Sequence, residues 1–62
     1  MQYKTIEERS LDIDRIVGEL PDEVNIHTIR DKAGLGIMDI KKYLIYKGYT
    51  QVKDSRYFWR IK

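Results

Sequence analysis

Residues 25–49 read NIHTIRDKAGLGIMDIKKYLIYKGY, and the fold is decided there. Asn25 is a good helix N-cap, because its short side chain accepts from backbone N–H groups of the first turn. Ile26, Ile29 and Ala33 keep the spacing of one face of a short helix. Gly34 sits where a helix end calls for positive φ. Leu35 is read as a buried turn residue, and Gly36 as the N-cap of the next helix. In that next helix Ile37, Ile40 and Leu44 share a face, and Gly48 closes it.

Upstream, Thr5 and Glu8 fit a capping box. Ile6, Ile13, Ile16, Val17 and Leu20 follow on one helical stripe, and Pro21 stops it, since the residue before a proline avoids the α region. Leu11 is off the stripe: either it is exposed, or the helix begins at Ser10. Val24 reads as a short extended residue.

Downstream, residues 50–62 read TQVKDSRYFWRIK and look like a hairpin. Thr50 to Lys53 and Arg56 to Ile61 form the strands, with Asp54-Ser55 as a two-residue turn. That turn sets Val52 opposite Tyr57 and Thr50 opposite Trp59. Tyr57, Trp59 and Ile61 then point to the core, and Arg56, Phe58, Arg60 and Lys62 point away from it. Gln51 with Phe58, and Lys53 with Arg56, share the outer side. A slip of one residue would exchange the faces; three apolar residues on one side argue against it.

The order of three helices and a hairpin makes residues 1–62 a single small α+β domain. From about residue 10 onward the chain resembles a winged helix. Asn25, Ile29, Ala33, Gly34-Leu35-Gly36, Ile40 and Leu44 match a helix-turn-helix, and TQVKDSRYFWRIK matches its wing. The wing segment is also similar to the C-terminal winged helices of phage and mobile-element primase-helicases. The resemblance implies DNA binding, with the third helix in the major groove and the wing on the backbone or minor groove.

Charge points the same way. The chain of 62 residues carries a net +2, unevenly spread. Residues 1–31 hold four basic and eight acidic groups, a net of −4; residues 32–62 hold eight basic and two acidic groups, a net of +6. A basic C-terminal half suits a polyanion, although two oppositely charged halves also attract one another. Lys53, Arg56, Arg60 and Lys62 surround the outward Phe58, and an exposed aromatic among cations can stack on an unpaired base or wedge into a minor groove.

The third helix is a poorer reader of sequence. Its outward side carries Met38, Asp39, Lys42, Ile45 and Tyr46, with Lys41 at the margin. Lys42 suits a phosphate or a guanine edge, and Met38 and Ile45 can meet thymine methyls. Asp39 can accept from cytosine but repels phosphate, and no Arg, Asn or Gln stands there for a bidentate base contact. Met38, Ile45, Tyr46 and Leu11 equally suit an interface with a larger replication or transcription enzyme, or with a second copy. MQYKT is a candidate edge strand in such a dimer.

Other chemistry is thin. There is no cysteine, so no disulfide and no thiolate nucleophile. His27 is the single histidine and is read as a solvated residue near a helix start, since one histidine makes no metal site. Glu7, Glu8, Asp12 and Asp14 read as a solvated acidic face. Gly34 and Gly36 lack the third glycine and the preceding strand of a nucleotide loop, and Ser10 and Ser55 have no histidine partner in a known motif. No cofactor, metal or small-molecule substrate is expected, and no enzymatic activity. No apolar run approaches the ~18 residues of a membrane span, and MQYKTIEERS has no apolar core of a signal peptide; a cytoplasmic, DNA-binding protein is expected. Duplex and single-stranded DNA, and transcription and replication, stay open on the sequence.

Overall fold

The computed structural model describes residues 5–62. The edge strand expected at MQYKT falls mainly on residues 1–4, outside that range. The elements are α1 (Ile6–Val17), β1 (Glu23–Asn25), α2 (Ile26–Ala33), α3 (Ile37–Tyr46), β2 (Tyr49–Gln51) and β3 (Phe58–Ile61). The architecture is α+β: three helices, then a C-terminal hairpin that completes an antiparallel sheet of order β1-β3-β2. This layout is consistent with a winged helix.

Helix starts follow local chemistry. The Thr5 hydroxyl accepts from the Glu8 backbone N–H at 3.2 Å, and the Glu8 carboxylate accepts from the Thr5 N–H at 3.5 Å, completing the capping box. α1 therefore begins at Ile6, which settles Leu11 as a solvent-facing residue, 59% exposed. The Asn25 side chain caps α2 by accepting from the His27 N–H at 2.9 Å. Gly34 ends α2 in the left-handed region at φ 70°.

The end of α1 departs from expectation. Gly18, at φ 73°, leaves the helix before Leu20 and Pro21 are reached. Leu20 still packs against the core, but from the connection and not from the helix. The buried line of α1 is Ser10 and Ile13, with Val17 packed beside them; Ile6 and Ile16 lie at its edges and are exposed. Leu35 is likewise half-exposed instead of buried, because the two-glycine turn carries it past the end of α2.

The core is Ile13, Val24, Ile26, Ile29, Ile40, Tyr43, Leu44, Tyr49 and Trp59. Tyr43 is fully buried, at the i+3 position between Ile40 and Leu44 on the inner face of α3. Its hydroxyl finds a partner by donating to Asp14 Oδ1 at 2.5 Å, as a buried phenol requires. Tyr49 solves the same problem by donating to the Pro21 carbonyl at 2.6 Å.

The hairpin has a different register from the expected one. Tyr49 opposes Ile61, Thr50 opposes Arg60 and Gln51 opposes Trp59, a shift of one residue. The Asp54-Ser55 two-residue turn is replaced by a connection from Val52 to Tyr57, in which Asp54 takes φ 65°. Side chains satisfy this connection: the Phe58 N–H donates to Ser55 Oγ at 3.1 Å, and Gln51 Nε2 donates to the Ser55 carbonyl at 2.7 Å. Lys53 and Arg56 are loop residues, not a strand pair.

The other determinant is β1. Val24 is not an isolated extended residue but the middle of a strand that opposes Trp59, and the two are buried together. The register pins Trp59 to the core and leaves Tyr57 outside the strand. Tyr57 and Ile61, expected in the core, are 46% and 49% exposed, and Tyr49 takes the core place instead. The Tyr57 carbonyl accepts from the Ile26 N–H at 2.7 Å, and its ring lies edge-on to His27 with centroids 4.6 Å apart. His27 is therefore a packed, half-buried residue and not a freely solvated one.

Candidate nucleic-acid interface

Strand alternation builds the first part of the site. Adjacent residues of β3 face opposite sides, so burial of Trp59 sends Phe58 and Arg60 to the outer face. Phe58 remains 42% exposed there, on the central strand of the sheet. Asn25 stands opposite Phe58, and Glu23 and Thr50 flank Arg60 on either side. Aromatic, amide and cation are thus set side by side on a surface that two neighbouring strands hold in place. The outward assignment of Phe58 and Arg60 holds although the register behind it shifted.

Lys53 and Arg56 line a shallow depression at the hairpin tip together with Gln51, Val52, Asp54 and Ser55. Lys62 lies at the other end of the hairpin. Its backbone N–H donates to the Gly48 carbonyl at 3.0 Å, holding it beside the end of α3. There it borders a groove with Ile45, Gly48, Tyr49, Thr50, Gln51 and Trp59. The four hairpin cations therefore do not form one ring around Phe58: Arg60 is its strand neighbour, two sit at the tip and one at the groove.

On α3, Met38 and Ile45 are 65% and 63% exposed, with Lys42 between them on the same face by helical spacing. Lys41 is half-buried at the margin and Tyr46 is exposed on the other flank. Leu11 is exposed on α1, a different helix from the one that carries this stripe.

Asp39 is answered by a residue that no sequence pattern points to. Arg9 of α1 donates to Asp39 Oδ1 at 3.2 Å. The pair is exposed and adds well under ~1 kcal/mol to stability. Its electrostatic effect is larger in consequence, because it offsets the one carboxylate on the outward side of α3. Lys47 is occupied in a similar way: its ammonium lies 3.1 Å from Asp14 Oδ2. Burial, then the hydrogen bond to Asp14, raise the Tyr43 phenol far above its ordinary value. Burial also raises Tyr49, reinforced by Asp22 and opposed by Lys47.

Among the described residues no group of three or more His, Asp or Glu is placed to hold a metal ion. No described helix is long and apolar enough to cross a membrane. Comparison with family models, with curated proteins and with solved structures finds no match to this chain.

Proposed function

We propose that the chain is a small winged-helix DNA-binding protein of the cytoplasm, acting as a transcriptional regulator or a replication accessory factor. It grips nucleic acid through Lys41 and Lys42 of α3 and through Lys53, Arg56, Phe58, Arg60 and Lys62 of the hairpin. The observation that carries this reading is the outer face of β3, where an exposed aromatic and a cation sit on a rigid strand while Trp59 between them anchors the core. Cations neutralise phosphates and release counterions; the aromatic adds a stacking surface that any base can use. The offset of Asp39 by Arg9 supports the approach of phosphate to α3.

The experiment is fluorescence anisotropy with a labelled duplex and its single strand at low and moderate salt. Salt-dependent binding is the expected result, and no binding at low salt overturns the proposal. A single-strand preference lost in Phe58→Ala places the function in replication; duplex binding indifferent to Phe58 places it in regulation.

A second reading has its own observation. The exposure of Met38 and Ile45 on one face of α3 favours a protein-docking role on a larger replication or transcription enzyme. It takes over if neither DNA binds and Met38→Ser/Ile45→Ser abolishes recovery of such an enzyme from the host.

A further inference from the structure

The outer face of the sheet carries an amide that DNA gripping by charge does not use. Phe58, 42% exposed, stands on the central strand β3, and Asn25 of β1 is its cross-strand partner. The Ile26 N–H donates to the Tyr57 carbonyl at 2.7 Å. The adjacent Asn25–Phe58 pair is therefore the non-hydrogen-bonded kind, in which side chains of one face lie closest. On the other flank the Val52 N–H donates to the Phe58 carbonyl at 2.9 Å. The row across the sheet thus reads amide, aromatic, aliphatic.

Asn25 is divided between two tasks. Its Oδ1 accepts from the His27 N–H at 2.9 Å as the cap of α2. A backbone N–H requires an acceptor, so the carbonyl end of the amide is committed to the helix. Nδ2 keeps two donors, with no partner among the described residues, and it is not sealed from solvent. The surroundings hold it in place: the His27 ring lies edge-on to Tyr57, with centroids 4.6 Å apart. An amide whose acceptor is spent on a cap can only donate. It matches a carbonyl oxygen of a base, and it cannot make the paired donor-and-acceptor contact by which a free asparagine holds adenine.

We propose that Asn25 reads a base: in a bound single strand, its Nδ2 donates to a carbonyl oxygen of the base that stacks on Phe58, so thymine is held in preference to adenine. This rests on the DNA-binding reading in its single-stranded form and adds a choice of base to it. A base stacked within a duplex has no free face for Phe58.

The full chain is titrated at one low salt concentration with labelled single strands of equal length, reading anisotropy. The strands are oligothymidylate, oligoadenylate and an oligomer of an apolar thymine isostere in which C–F groups replace both carbonyls. The isostere keeps the shape and the stacking face and loses the acceptors. The wild-type chain is expected to bind oligothymidylate about three- to tenfold tighter than the isostere, the effect of one hydrogen bond. Asn25→Ser keeps a capping oxygen, since Ser and Asn cap helices about equally, but its shorter side chain does not reach the base. It lowers oligothymidylate affinity by the same factor, holds the isostere and oligoadenylate within about twofold, and leaves the thermal midpoint in place. Phe58→Ala weakens all three strands by removing the stacking platform. Equal binding of oligothymidylate and isostere by the wild type overturns the role of Asn25 and leaves DNA binding standing, whether or not Asn25→Ser folds. Oligothymidylate binding by folded Asn25→Ser equal to wild type, an equal loss on all three strands, or binding of duplex alone does the same. Absence of any anisotropy change with single strand or duplex overturns both.

Discussion

Asp14 on α1 accepts a hydrogen bond from the Tyr43 hydroxyl on α3 at 2.5 Å, and it holds the Lys47 ammonium at 3.1 Å with its other oxygen. One carboxylate thereby ties the first helix to the middle and the end of the third. Tyr43 is fully buried, so its hydroxyl has no water to fall back on. Tyr43→Phe removes the hydrogen bond and keeps the ring. Because the acceptor is charged, the loss is expected to be about 1.5–3 kcal/mol, read from urea unfolding.

The same contact sets an alkaline limit. The Tyr43 phenol is raised from its ordinary 10.0, so the unfolded chain loses this proton before the folded one does. Stability is therefore unchanged by Tyr43 below about pH 10 and falls as pH rises beyond it. Tyr49, also raised, acts in the same direction. In Tyr43→Phe the fall in thermal midpoint above pH 10 becomes shallower but does not vanish.

Ile16 and Ile40 separate helical pattern from actual burial. Both sit on apolar stripes, yet Ile40 is 0% exposed and Ile16 is 55% exposed. Ile40→Ala is expected to cost about 2–5 kcal/mol, a large share of the stability of so small a domain. Ile16→Ala is expected to cost less than about 1 kcal/mol. Chemical unfolding of the two variants, measured side by side, checks the contrast.

Gly34 terminates α2 at φ 70°, with nothing within 4 Å of where a Cβ would stand. The cost of a side chain there is conformational and not steric against neighbours. Gly34→Ala is expected to destabilise by about 1–2 kcal/mol, and Gly34→Asn by less, since Asn visits the left-handed region more readily. Thermal unfolding ranks the three proteins.

Arg9 and Asp39 are predicted to act on binding more than on folding. Arg9→Gln leaves stability within about 1 kcal/mol but uncovers Asp39 on α3, weakening DNA binding at low salt. Asp39→Asn strengthens binding, and in that background Arg9→Gln has a smaller effect. A double-mutant cycle of anisotropy titrations reads the coupling.

What the residues determine by themselves is local. The Thr5–Glu8 capping box, the Asn25 cap, the left-handed Gly34 and the start of α3 at Gly36 each depend on groups within a few positions of chain, and all are legible in order. So are the three helices, the hairpin that follows them and the outward direction of Phe58. Tertiary structure decided the remainder, because each of those features needs a partner far along the chain. Strand β1 is three residues that become a strand only by pairing with β3, and that pairing places Val24 against Trp59. It shifts the hairpin register by one and puts Tyr57 and Ile61 at the surface while Tyr49 goes in. Tyr43 can sit fully buried because Asp14, 29 positions away, accepts a hydrogen bond from its hydroxyl. Arg9 answers Asp39 across 30 positions. Alternation and periodicity describe which residues can share a face; which face is buried depends on what the rest of the chain brings against it.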